Sequence, residues 1–236
     1  MKINLYYEGG IGDHLLAHRF AVGIKKKYPD YELHVYSDTE NNLIQKQVLE
    51  YLYPNFYTSI TVIASKKYKK CIINSQFCEE EYRGGLHNVP DDIKDKMIKD
   101  CDKFYSLHID SLEFLNHDYD WLSCFNNFPK PEVSPPNLIG NYIVSHLISS
   151  TSPEHRLNTD FYLTRLVKDI DNFCREKKLY HIIISQNDTN HFYDESLKQT
   201  TNSTILNGNI KEVAEMIVNA KLMISIDSGF RPIAYP

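Results

Sequence analysis

"EGGIGDHLLAHRF" (residues 8–20) decides how the rest of the chain is read. Just upstream, "INLYY" (3–7) is short, β-rich and closed by glycines, which predicts a strand. Downstream the period changes. Leu16, Ala17, Phe20, Ala21 and Ile24 fall on one face of a helix, which Pro29 and Asp30 stop. Strand, glycine turn and helix open an α/β unit. The turn lacks both G-x-G-x-x-G and G-K-[ST], so dinucleotide and P-loop sites have weak support. Gly9, Gly10 and Gly12 still leave backbone amides and a helix N-terminus open to a ligand. Asp13 has two readings of similar weight. It is a helix cap, or it is a carboxylate kept ionised by the helix dipole and usable as a base. His14 stands beside it, within reach of an acceptor or a phosphate. His14 and His18 lie one turn apart, but no third ligand is spaced to complete a zinc site, and packing suits His18 better.

The alternation continues outward. "YELHVYS" (31–37) predicts a strand, and 39–52 a helix with Leu43, Ile44, Gln47, Val48 and Tyr51 in register. "SITVIA" (59–64) and "KCIINSQ" (70–76) read as further strands. "PDDIKDKMIKDC" (90–101) looks helical, and "KFYSLHI" (103–109) reads as strand or loop. "NNFPKPEVSPPN" (126–137) holds four prolines in twelve residues and marks the boundary between domains at 1–130 and 138–236. Beyond it "NYIVSHL" (141–147) predicts a strand. Leu163, Leu166, Val167, Ile170, Phe173 and Cys174 stripe a helix, and "HIIISQ" (181–186) has the composition of a buried parallel strand. Ile210, Val213, Ala214, Ile217 and Val218 stripe another helix, with Asn209 and Glu212 spaced as its capping box. "LMISI" (222–226) closes the series. The fold class expected is α/β with two tandem units. The second is expected to be incomplete, since the given sequence stops soon after a strand.

The totals set bounds on function. A chain of 236 residues with net charge −5 does not resemble a nucleic-acid binder. Five scattered cysteines show no C-x2-C spacing and read as reduced thiols, which predicts a cytoplasmic protein. No stretch approaches the ~20 apolar residues of a membrane span, so a membrane-bound acceptor would be met from the water side, by peripheral contact. The one basic run, "SKKYKK" (65–70), reads as a solvated loop.

Two polar loops follow strands in the second half. "HLISSTSPEHRLN" (146–158) carries Ser149, Ser150, Thr151 and Arg156; hydroxyls, amides and a guanidinium can together hold a diphosphate, although an ordinary polar loop explains the composition. "ISIDSGFRP" (224–232) places Asp227, Ser228 and Gly229 after a buried strand and before a helix, with Arg231 to add charge; a plain N-cap accounts equally for Asp227 or Ser228. "DYD" (118–120) has the D-x-D form of a metal and nucleotide-sugar site, but aspartate is common here and chance explains it.

The joint order of these loops resembles the ADP-heptose heptosyltransferase family, glycosyltransferase family 9. Its members open with a strand and a G-x-x-G-D-x-L turn, matched by Gly9 to Leu15. They later show an L-x-x-A-x-L-x-x-A-x-L-x-I-x-x-D-[ST]-G run, matched by "VAEMIVNAKLMISIDSG" (213–229). The likeness spans both ends of the chain and is weak through 78–135. Phe230 stands where the family has proline, Pro232 where it has histidine, and Leu157-Asn158 replaces Trp-Pro after the basic residue.

The resemblance implies a GT-B fold of two Rossmann-like domains, acceptor-side first and nucleotide-sugar-binding second. It implies inverting transfer from a nucleotide-diphosphate sugar to a glycan or lipid-linked hydroxyl. Asp13 would be the general base, and Gly9, Gly10, Gly12 and His14 the acceptor-side loop. Ser149, Ser150, Thr151, Arg156, Asp227, Ser228, Gly229 and Arg231 would hold the donor. No metal or cofactor is implied. The carboxylate of the first half and the anion-holding loops of the second would have to share one crevice. A nucleotide-sugar epimerase or hydrolase on the same fold, or a non-catalytic GT-B-like nucleotide-binding or interaction module, are the competing functions.

Overall fold

The computed structural model describes residues 1–38, 43–63, 72–73, 76–77, 89–106, 131–133, 140–148, 160–185, 193–226 and 230–234. The chain divides into two compact units, Met1–Lys130 and Pro131–Pro236. Each contains a four-stranded, wholly parallel sheet.

In the first unit the elements are β1 (Lys2–Glu8), α1 (Ile11–Lys27), β2 (Glu32–Asp38), α2 (Ile44–Leu52), β3 (Ser59–Ile63), β4 (Ile72–Ile73), β5 (Gln76–Phe77), α3 (Asp91–Lys99) and β6 (Lys103–Ser106). The sheet order is β3-β2-β1-β6. β1 is central, and residues 3–7 are all buried, as expected of a strand covered on both faces. Its alternation assigns the covers. Tyr7 hydrogen-bonds the Ala17 carbonyl of α1 at 3.4 Å, while Asn4, pointing the other way, donates from Nδ2 to the Met97 carbonyl of α3 at 2.7 Å.

The second unit contains β7 (Tyr142–His146), α4 (Asp160–Lys177), β8 (Tyr180–Ile184), α5 (Asp194–Leu197), β9 (Ser203–Leu206), α6 (Ile210–Asn219), β10 (Met223–Ser225) and α7 (Arg231–Ala234). The order is β10-β7-β8-β9. Ile143 and Leu147 pack with Leu163, Val167, Ile170 and Cys174 of α4. The opposite face of β7 meets α6, where Tyr142 donates to the Met216 carbonyl at 3.1 Å.

The two sheets follow the same path. Counting strands within each main sheet, the order is third, second, first, last. In both, the first strand is flanked by the second on one side and the last on the other. The strand order therefore reverses beside β1 and beside β7, and ligands of open parallel sheets collect at the carboxyl ends of such switch points.

Several expectations change. "KCIINSQ" is not one strand of the main sheet; β4 and β5 pair antiparallel as a separate ribbon, with Ile72 opposite Phe77, and β6 supplies the fourth strand. α2 buries Gln45, Val48, Leu49 and Leu52, whereas Leu43 and Ile44 are exposed. That segment is apolar on two faces, so periodicity alone does not choose between them. On α4 the stripe is narrower than expected: Phe173 is exposed and Asp171 is buried. On α1, Leu16 lies outside the core, and His14, Leu15, His18 and Val22 are buried instead.

Candidate active site

The turn from Glu8 to Asp13 leaves the carboxyl end of β1 at the first switch point. Gly9 has φ +95, a left-handed conformation that L side chains rarely adopt. A Cβ on Gly9 would collide with Asp13 Oδ2 and lie 2.9 Å from its Cγ. Gly10 is the N-cap of α1 and has no side chain to cap with, so Asp13, three residues on, reaches back. Its Oδ2 accepts from the Gly10 amide at 2.7 Å. Gly9 and the aspartate are thus explained locally: the backbone at Gly9 must approach the carboxylate closely, and the carboxylate satisfies an amide the helix leaves unpaired. Among the described residues nothing hydrogen-bonds Asp13 Oδ1. Gly12 lies in the first turn of α1, partly exposed.

His14 is fully buried rather than displayed on the turn. Its Nδ1 meets the Gly10 carbonyl at 3.0 Å and its Nε2 meets Ser37 Oγ at 2.7 Å, bracing the turn against β2. Burial pushes its pKa down to about 4, against a smaller upward pull from the Gly10 carbonyl. It is a neutral support under Asp13. His18 is buried as well, stacked on Tyr53 with ring centroids 3.5 Å apart and bonded through Nδ1 to Tyr57 Oη at 2.5 Å. Burial takes its pKa to about 3. The two histidines share a helix face but serve separate partners. Among the described residues no group of three or more His, Cys, Asp or Glu could hold a metal ion.

In the second unit, β7 and β10 flank the second switch point, with Ser225 registered against His146. Residues 149–159 and 227–229 follow these strands in the chain. Ser149, Ser150, Thr151, Arg156, Asp227, Ser228 and Gly229 lie outside the described residues, as does "DYD" (118–120). Arg231 begins α7. His146, which sequence reasoning did not single out, is buried at the end of β7; burial lowers its pKa to about 4, and its ring meets Phe230 edge-on at 4.9 Å and 87°. Its one sequence signal is a polar residue closing an apolar strand immediately before the polar loop.

Behind the switch point, a polar chain crosses the sheet. Ser145 Oγ meets His181 Nε2 at 2.8 Å, His181 Nδ1 meets Ser203 Oγ at 2.9 Å, and Ser203 donates to Asp171 Oδ1 at 2.7 Å. Asp171 also accepts from the amides of Thr201 and Asn202. Burial alone would raise its pKa, but these donors outweigh it and hold the carboxyl low. Ser145 and His181 are fully buried and the chain ends on backbone amides, so it ties α4 to the start of β9.

No protein-family model matches the chain, and no curated protein matches it by sequence. Solved structures do match by fold. Glycosyl transferase family 9 from Veillonella parvula DSM 2008 aligns with 99% of this chain and 77% of its own, at 14% identity and TM-score 0.62. E. coli ADP-heptose LPS heptosyltransferase II aligns with 99% and 81%, at 12% identity and TM-score 0.60. E. coli heptosyltransferase WaaC, solved with ADP, aligns with 99% and 84%, at 9% identity and TM-score 0.57. At such identities the likeness is one of fold.

Proposed function

We propose, taking as premise the fold shared with these heptosyltransferase structures, that the chain is a glycosyltransferase using a nucleotide-diphosphate sugar. The two units are then the two Rossmann-like domains of a GT-B enzyme, acceptor-side first and donor-side second. The observation that carries this reading is the placement of Asp13. A glycine turn at the carboxyl end of a central parallel strand holds its carboxylate by one oxygen and leaves the other uncommitted among the described residues.

Asp13 takes the proton of an acceptor hydroxyl as that oxygen bonds to the anomeric carbon. The bond from that carbon to the diphosphate breaks on the opposite side, so configuration inverts. General-base assistance of this kind contributes ~10²–10⁴-fold. Charge develops on the departing diphosphate. Arg156, Arg231, the hydroxyls of Ser149, Ser150 and Thr151, and the 227–229 segment are the groups assigned to meet it. With fixed cations and amides in that role, transfer needs no metal. No helix among the described residues is long and apolar enough to cross a membrane, and a lipid-linked acceptor would be approached from the water side.

A thermal-shift screen of ADP-, UDP-, GDP- and CDP-linked sugars identifies the donor. With that donor and a glycan acceptor, Asp13→Asn abolishes transfer while donor binding stays near wild type. Unchanged transfer by that variant refutes Asp13 as the base. One feature favours a second reading, a nucleotide-binding module without turnover: Pro232 stands where the resembled family has histidine. Donor binding with neither transfer nor hydrolysis in the wild-type chain would decide for it.

A further inference from the structure

The turn before α1 has a near copy elsewhere in the chain. Before α6, Gly208 precedes the N-cap Asn209, Glu212 Oε2 accepts from the Asn209 amide at 2.9 Å, and a Cβ on Gly208 would lie 2.9 Å from that oxygen. Gly9, Gly10 and Asp13 repeat the arrangement. The next position differs. It is buried in both helices, but α6 fills it with Val213 and α1 with His14. An apolar side chain therefore meets the packing needs behind such a turn. α1 instead buries an imidazole and sets against it a second fully buried polar group, Ser37 of β2. Such a pair costs more to bury than a valine, and fully satisfied polar networks are the ones that fix a single arrangement.

The hydrogen bonds of this pair run one way. Burial keeps the His14 ring neutral at pH 7. The Gly10 carbonyl can only accept, so His14 Nδ1 carries the proton and donates to it at 3.0 Å. His14 Nε2 is then bare and accepts from the Ser37 hydroxyl at 2.7 Å. Tyr7, opposite Ser37 in the β1–β2 register, sets its ring edge-on to the imidazole at 5.7 Å and 80°. Gly10 is thereby tied through both of its polar groups, its carbonyl to His14 and its amide to Asp13 Oδ2. A glycine has no side chain to restrict its own φ and ψ, so these ties decide where the amide, and with it the carboxylate, sits.

We propose that Ser37 is a positioning residue for transfer: acting through His14, it fixes the Gly10 peptide groups on which Asp13 is seated. The proposal rests on the reading of Asp13 as the base. Without the Ser37 hydroxyl, His14 Nε2 becomes a buried acceptor with no donor, and the turn loses its tie to β2. Asp13 keeps its own bond to the Gly10 amide, but that amide then belongs to a glycine held from one side only.

Two measurements on the full chain test this. In the first, hydrogen exchange of the Gly10 amide is followed by NMR with no ligand added. Ser37→Ala speeds it by about two- to tenfold, the range one hydrogen bond supplies. The amides of residues 3–7 in β1 keep their wild-type rates, whereas a general loosening of the unit would speed them too. In the second, transfer is measured with the donor found among the ADP-, UDP-, GDP- and CDP-linked sugars. Ser37→Ala lowers kcat by about tenfold, part of what a well-placed base contributes, and leaves KM for the donor unchanged. His14→Asn offers a donor to the Gly10 carbonyl but does not reach Ser37, and it behaves like Ser37→Ala in both measurements. Should Ser37→Ala fail to fold, Ser37→Cys, close in size and a weaker donor, decides. An unchanged Gly10 exchange rate, or an unchanged kcat, overturns the proposal while leaving Asp13 as the base. Full transfer by Asp13→Asn overturns the base, and the proposal with it.

Discussion

Replacing Gly9 by alanine tests the turn at its tightest point. Two costs are separable. At φ +95 a side chain is strained whatever the space around it, by about 1–2 kcal/mol. The new Cβ would also collide with Asp13 Oδ2 and push the carboxylate off the Gly10 amide. Losing that bond at a partly exposed helix start costs about 1 kcal/mol. Gly9→Ala should therefore destabilise by about 2–3 kcal/mol. Asp13→Ala loses only the bond, about 1 kcal/mol. In the double variant no carboxylate remains to be displaced, so its cost should match Gly9→Ala alone and fall about 1 kcal/mol short of the sum of the singles. Urea unfolding followed by far-UV circular dichroism, read on the transition of the first unit, measures all three. Strict additivity would refute the reasoning, because it would mean that Gly9 and Asp13 do not share the space the geometry assigns them.

The buried histidines predict an acid-sensitive fold. Unfolded histidines bind a proton near pH 6.5, whereas folded His14, His146 and His181 do so only near 4 and His18 near 3, burial being the first cause in each case. Between those values the unfolded chain holds more protons, so stability is complete above about pH 6.5 and declines as pH falls toward 4, by up to about 1.4 kcal/mol per pH unit for each histidine. Urea midpoints at pH 7 and pH 5 should differ accordingly; equal midpoints would count against neutral burial. Asp171→Asn keeps the shape but weakens acceptance from Thr201, Asn202 and Ser203, and should cost about 2–3 kcal/mol, seen in the transition of the second unit. Asp13→Asn, by contrast, should lose turnover with little loss of stability, which activity at fixed folded concentration would show.

The legible parts of the fold are those where local chemistry and burial agree. β1 reads as a strand because it is buried on both faces and ends in glycines. The start of α6 reads correctly because Asn209 Oδ1 accepts from the amides of Lys211 and Glu212 while Glu212 returns a bond to the Asn209 amide, all within four residues. β6 and β9 were harder for a common reason. Each is a four-residue strand at a sheet edge, half-buried except at exposed Thr204 of β9, with neither the apolar run of a central strand nor a clean alternation. β9 is fixed largely from outside its own sequence, by Asp171 on α4 and by pairing with β8. Asp171 is not legible from its own helix: the distant Ser203 hydroxyl and the amides of Thr201 and Asn202 are what justify a carboxylate on its buried face.

The opening turn offers Asp13 as cap or as base, and the geometry of the cap is compatible with the proposed base. A cap needs one carboxylate oxygen and a base needs one. Oδ2 serves the Gly10 amide, and that bond fixes the plane in which Oδ1 lies. The arrangement is costlier than capping requires. An ordinary N-cap side chain would satisfy the same amides without a left-handed residue at position 9 or a buried histidine bracing the turn from below. Glycine adopts that conformation without strain, so the left-handed turn marks the close approach of Asp13 to the backbone. On the proposed reading, the cap at Asp13 also holds a carboxylate at the switch point beside β1, and Gly9 leaves the room that its Oδ2 takes.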